Sequence, residues 1–187
     1  MKFKKSKINT ILTVIFAVLL LMPQTRKPIQ LVLNKVIALF GPSVSIKENA
    51  IKLSEYNWKL LDVEGNEFNL ESTRGKVVFI NSWATWCMPC VAELPSMQKL
   101  YQDYSDKIVF LFISSESMQT AKEFMERKEY TLPVFRPITA APKHLNNRSI
   151  PTTYVIGKKG MIHVNKKGAS NWNSKDVRAL LDNLIAE

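Results

Sequence analysis

Two cysteines stand three residues apart, Cys87 and Cys90, in a chain of 187 residues that has no other cysteine. A thiol pair at this spacing can do one of three things. It can exchange two electrons with another dithiol, hold half of a zinc or copper site, or staple the chain. The staple is a weak reading. Closing so small a loop restricts the unfolded chain by only about 2 kcal/mol, against ~3 for a fifteen-residue loop. The metal reading needs a second half, and the two histidines are the remaining candidates. His163 falls in an alternating stretch and His144 in a polar one. Neither has a second ligand beside it, so both read as surface or rim residues. A disulfide scaffold and a four-cysteine zinc site are excluded by count.

The elements around the pair decide what the thiols can do. Lys76 to Trp83 includes the continuous apolar run Val77-Val-Phe-Ile80, which predicts a strand buried on both faces. A helix is predicted from Met88 to Tyr104, with Cys90, Leu94, Met97, Tyr101 and Tyr104 on one face and Pro95 as a kink. Cys87 then lies at a helix start, where unpaired N–H groups and the helix dipole favour a thiolate. It is expected to be exposed and reactive, and Cys90, on the core face, to be shielded. That asymmetry separates an attacking thiol from a resolving one. Glu93 is one helical turn beyond Cys90 on the same side.

Further along, Ile108 to Ser114 reads as a second buried strand and Ser117 to Lys128 as a helix with Ala121, Phe124 and Met125 inward. Residues 131–147 carry three prolines and read as loop plus a short helix. Thr152–Ile156 and Met161–Asn165 form a hairpin around Gly157-Lys-Lys-Gly160, and Asn173-Ser174 caps a last helix. Ahead of all these, Trp58–Asp62 and Phe68–Leu70 flank Glu64-Gly-Asn66 as an N-terminal β-hairpin. The pattern predicts an α/β fold, a mixed sheet flanked by helices on both faces.

The segment Val77-Val-Phe-Ile-Asn-Ser-Trp-Ala-Thr-Trp-Cys-Met-Pro-Cys90 resembles the active-site strand and helix start of thioredoxin-fold proteins. Cys90-Val-Ala-Glu93-Leu-Pro95 is similar to the membrane-anchored TlpA/ResA-like thiol–disulfide oxidoreductases. Ser149-Ile150-Pro151-Thr152-Thr153 resembles their cis-proline loop, and the likeness spans roughly residues 53–187. It implies that Pro151 is cis, with Ile150 lining a substrate groove. It implies too that Trp86 and Pro89 sit beside Cys87 where a partner docks, whereas Trp83 packs in the core. Cytosolic thioredoxins carry an aspartate six residues before the first cysteine. Asn81 stands there in this chain and cannot shuttle a proton; the resemblance to the TlpA/ResA-like group implies Glu93 as the candidate acid, which if partly buried should have a raised pKa and could exchange a proton with Cys90. The resemblance implies no cofactor and no metal. A peroxiredoxin-like peroxidase would need a threonine three residues before the attacking cysteine, where Ala84 stands. A copper chaperone using the thiol pair is the other alternative.

Net charge is +10, with 26 basic and 16 acidic residues. The excess is concentrated in residues 1–50, which hold eight basic residues and one acid, so the main domain needs no nucleic-acid partner. Lys2, Lys4, Lys5 and Lys7 precede an apolar run from Ile8 to Met22 that Pro23 ends. As a helix it is about 22 Å long against a hydrocarbon core of ~30 Å. No small-residue cleavage pair follows. Residues 1–27 therefore read as a cytoplasmic flank and a single uncleaved anchor, or a signal, in a bacterial cytoplasmic membrane. Residues 28–52 read as an amphipathic helix on the membrane surface plus a linker, and 53–187 as the catalytic domain in the periplasm. Expected partners are extracytoplasmic protein thiols and disulfides and a membrane thiol-electron transporter, for a monomer acting as reductant. Met88-Pro89 between the cysteines lacks the histidine of strong oxidants. A reporter fused to the C-terminus is expected to read as extracytoplasmic, and N-terminal sequencing to start at Met1 or Lys2. A mature terminus near Pro23 or Ser45 would mean a cleaved signal.

Overall fold

The computed structural model describes residues 9, 10, 13, 51–146 and 148–187. Apart from those first three positions, the anchor and the 28–40 helix lie outside the described residues. Among the described residues no helix is long and apolar enough to cross a membrane.

Val77, Val78, Phe79 and Ile80 are almost wholly buried. A strand apolar on both sides must be covered on both sides, so β4 (Val78–Ser82) lies inside the sheet. It pairs in parallel with β5 (Val109–Ile113) and antiparallel with β7 (Thr152–Ile156). β7 continues through the expected Gly-rich turn into β8 (Met161–Lys167). Beyond β5 come β6 (Val134–Pro137) and the N-terminal hairpin of β2 (Lys59–Leu61) and β3 (Glu67–Asn69). With β1 (Ile51–Lys52) on the far edge, the order is β1-β8-β7-β4-β5-β6-β2-β3. This is the mixed sheet of a thioredoxin-like fold.

Alternation along the central strands splits the core in two. Phe79, Phe110, Phe112 and Val155 face one side with the inward residues of three helices, α1 (Met88–Tyr104), α2 (Met118–Arg127) and α3 (Lys175–Ala186). Val78, Ile80, Leu111 and Ile113 face the other. The helical cover is divided unequally. Among the described residues, the second face is covered by the 3-10 helix Leu70–Thr73, the segment around Leu53, Tyr56 and Trp58, and Leu145 from a turn. The cap residues act locally. Ser117 Oγ accepts from Thr120 N, and Ser174 Oγ from Val177 N, at the starts of α2 and α3. Helix α1 spans the predicted residues and runs on through Pro95.

Two stretches differ from expectation. Residues 134–137, read as loop, form β6, held by Phe112 N to Pro133 O and Ser114 N to Phe135 O on one side and by β2 on the other. Prolines at both ends hide a strand whose pairing comes from its neighbours. Ile51 and Lys52, read as linker, pair with Ile162 and Met161.

Gly160 closes the β7–β8 turn at φ +78°, and its carbonyl accepts from Leu53 N. A Cβ there would also run into Tyr56 Oη. Tyr56 is buried under the Arg74 guanidinium and has little room to give way. Gly65, at φ +87°, has open space around it. Gly65→Ala is expected to cost ~1–2 kcal/mol of backbone strain and Gly160→Ala about twice that. Urea denaturation of the two variants checks the ranking.

Candidate active site

Cys87 is the N-cap of α1, with extended backbone (φ −82°, ψ 97°). Its N–H donates to Ala84 O at 3.2 Å, and its Sγ accepts from Cys90 N at 3.3 Å. That sulfur therefore receives an N–H the helix cannot otherwise satisfy. The two cysteines form a disulfide with a Cα–Cα distance of 5.2 Å. Cys90 has no exposed surface, and Cys87 is only 5% exposed. The expected exposure of Cys87 is thus corrected for the disulfide state, because its bond to a buried partner holds it against the core. The exposed group is its neighbour Trp86, at 70%.

Trp86 stands over a cavity of about 640 Å³ that Ser82, Ile113 and Pro137 line from the carboxyl ends of β4, β5 and β6. Ligand sites of open α/β sheets form at such ends. Ile150 lines the same cavity from the opposite loop, and Ile150–Pro151 is a cis peptide, as the resemblance implied. Pro151 is buried, and β7 starts immediately after it, with Thr152 opposite Ser82. Pro89 sits half-buried in the first turn of α1, apart from the cavity lining. Trp83 packs on Phe124 in the core. His144 and His163 are half-buried, and no metal-ligating cluster occurs among the described residues.

Glu93 is fully buried beneath this surface. Three N–H groups point at its carboxyl. Asn81 Nδ2 donates to Oε1 at 2.9 Å. Trp172 Nε1 and Ser170 N donate to Oε2 at 2.9 and 3.2 Å. Burial pushes the pKa up from 4.5 to about 8, and these three donors oppose the rise without cancelling it.

Trp172 and Ser170 were not legible as site residues, since they lie 79 and 77 positions from Glu93. Asn81 is a donor rather than a bystander. Glu116 is a further residue the sequence reading missed. Its carboxylate accepts from Thr85 N at 2.7 Å and Thr85 Oγ1 at 2.8 Å, pinning the segment that carries Trp86 and Cys87. Its place directly after a buried strand was the available signal.

The AhpC/TSA family profile matches residues 51–165. The thioredoxin-like protein YneN of Bacillus subtilis is 34% identical over 57% of this chain and 65% of its own length. The thiol-disulfide oxidoreductase ResA of Geobacillus thermodenitrificans is 34% identical over 67% of this chain and 72% of its own. The chain thus spans just under two thirds of the first relative and somewhat more of the second. Among solved structures, the exposed lipoprotein thioredoxin of Streptococcus pneumoniae superposes with a TM-score of 0.51 at 26% identity. That match covers 69% of this chain and 98% of that one.

The raised pKa of Glu93 sets a pH dependence of stability. Between about 4.5 and about 8 the folded carboxyl keeps its proton while the unfolded one gives it up. Its contribution is therefore complete below about pH 4.5 and is lost as pH rises to about 8. At ~1.4 kcal/mol per unit the loss is on the order of a few kcal/mol. Urea denaturation of the oxidised protein should show this fall, and Glu93→Gln should lack it. Parallel pH profiles for the two proteins would contradict the assignment.

Proposed function

The chain belongs to the AhpC/TSA family, with ResA thiol–disulfide oxidoreductases among its relatives, and we propose that it is itself a thiol–disulfide oxidoreductase. The observation that carries the reading is the Cys87–Cys90 disulfide at the start of α1, backed one turn later by the buried Glu93 carboxyl. In the reduced protein the Cys87 thiolate, stabilised by the helix N-terminus, attacks a disulfide of a partner protein. A mixed disulfide forms and the partner's first thiolate leaves. Cys90 gives its proton to the ionised fraction of Glu93, a minority below about pH 8, and its thiolate attacks the Cys87 sulfur. The intramolecular disulfide forms, and the second partner thiolate leaves and takes up a proton. Two electrons pass to the partner.

A carboxyl with a pKa near 8 suits that proton transfer. Trp86 and Ile150 at the cavity offer apolar surface for the polypeptide around the partner's disulfide. The basic flank and apolar run at the N-terminus support an anchored, extracytoplasmic domain. There it would act as a reductant, in cytochrome c maturation or the repair of wrong disulfides, and draw electrons from a membrane thiol transporter.

Cys90→Ser is expected to accumulate mixed disulfides with partner proteins, and Cys87→Ser almost none, read on non-reducing gels. Equal trapping by both variants would overturn the order of attack. The reduction potential of the pair is expected near or below about −270 mV, the value of thioredoxin. A value near about −120 mV would make the protein an oxidant.

A further inference from the structure

The Asn81 side chain is buried, and its amide is only half used. Nδ2 donates to Glu93 Oε1 and to Thr153 Oγ1, both at 2.9 Å, while Oδ1 has no partner among the described residues. This arrangement serves a carboxylate, because every group on Glu93 is a donor. Of the two Glu93 oxygens, Oε2 is fixed by an indole N–H and a backbone N–H, neither of which can accept. A proton on Glu93 therefore belongs on Oε1, whose partner is Asn81. There it meets a donor. The nearest unused acceptor on that partner is Asn81 Oδ1, at the other end of the same amide.

We propose that Asn81 is a positioning residue whose amide turns over with the proton on Glu93. It donates Nδ2–H to the carboxylate and accepts the O–H of the acid on Oδ1, while the Thr153 hydroxyl changes from acceptor to donor. The turn keeps Asn81 bonded to both neighbours in both states. Its cost is that the amide N–H groups take the unpartnered place that Oδ1 leaves. Thr153 faces Asn81 directly across the β4–β7 ladder and lies two residues from Pro151. The proton state of Glu93 is thus passed to the strand that carries the cis-proline loop. None of the hydrogen-bond partners of Glu93 among the described residues is charged. They are Asn81 from β4, and Ser170 and Trp172 from the loop before α3, with Thr153 of β7 behind Asn81. Cys90, on the same helix, is the other titratable group once the disulfide is reduced. The inference rests on Glu93 taking up a proton, as in the exchange above.

Scalar coupling across hydrogen bonds reads the direction of donation in the full chain. In the oxidised protein, coupling from Asn81 Nδ2 to the Glu93 carboxyl carbon is expected above the carboxyl's titration midpoint and absent below it. Its persistence below the midpoint overturns the proposal and leaves the exchange reading standing. In Glu93→Gln, which mimics the acid, coupling should run from Gln Nε2 to Asn81 Cγ. Coupling from Asn81 Nδ2 to the Gln carboxamide carbon overturns it. Asn81→Leu removes the partner of both states, so the Glu93 midpoint should rise by less than about one pH unit. If Asn81 served the carboxylate alone, the rise would be ~1–2 units. A Glu93 carbon that does not titrate between about pH 5 and 10 would remove the proton acceptor itself, and the proposal with it.

Discussion

A carboxyl group with no exposed surface, one helical turn behind a disulfide, is the constraint on which the rest of this structure depends. Burying an ionisable group is costly unless its hydrogen bonds are met. Here they are met by parts of the chain far apart in sequence, namely Asn81 on β4 and Ser170 and Trp172 ahead of α3. Those bonds tie α1 both to the central strand and to the C-terminal segment. Trp172 fits because its ring stands edge-on to Phe79, at 5.3 Å between centroids, on the helix-covered face of the sheet. The same indole therefore packs the core with its rings and serves the carboxyl with its N–H.

The topology explains why the redox pair lies where it does. β4, β5 and β6 are parallel neighbours, so their carboxyl ends open at one edge of the sheet. The chain leaves β4 there and turns into α1, which puts Cys87 at a helix start and Cys90 inside it. β7 runs antiparallel to β4, so its beginning, and with it cis-Pro151, falls at the same edge. Glu116 follows β5 at that edge and holds Thr85 by both backbone and hydroxyl. One edge of the sheet thus gathers the Cys87 sulfur, an exposed tryptophan, a proline loop and the clamp that holds Thr85 beside them. Cys90 and Glu93 lie beneath it, away from solvent. On the proposed exchange, a partner is met at that edge while proton transfer between Cys90 and Glu93 stays inside.

The readable parts were those whose physics is local. The boundaries of α1 follow from Cys87 as cap, Pro89 in the first turn and the apolar face from Cys90 to Tyr104. The buried strands around Phe79 and Phe112 and the hairpin at Gly65 were legible for the same reason. β6 was not, because its four residues end in a proline and follow another. Its strand character comes from β5 and β2 on either side. The step from Cys90 to Glu93 was legible as helix geometry. The reach of Trp172 across 79 positions was not, since nothing in the local pattern marks an indole as a donor to a distant carboxyl.

Asn81 and Glu93 are best understood as one choice. Their side chains meet at 2.9 Å in a site without water-exposed surface. Two carboxyls at that distance could not both ionise, and each would drive the other's proton affinity upward. An acid on α1 therefore calls for a non-acid at the facing position of β4. An apolar residue there would leave the carboxylate a donor short. An amide fits because it offers both a donor and an acceptor within one planar group. On the proposed exchange, an asparagine that looks, along the sequence, like the loss of a proton carrier is thus the condition for placing a carrier on the helix, one turn from Cys90.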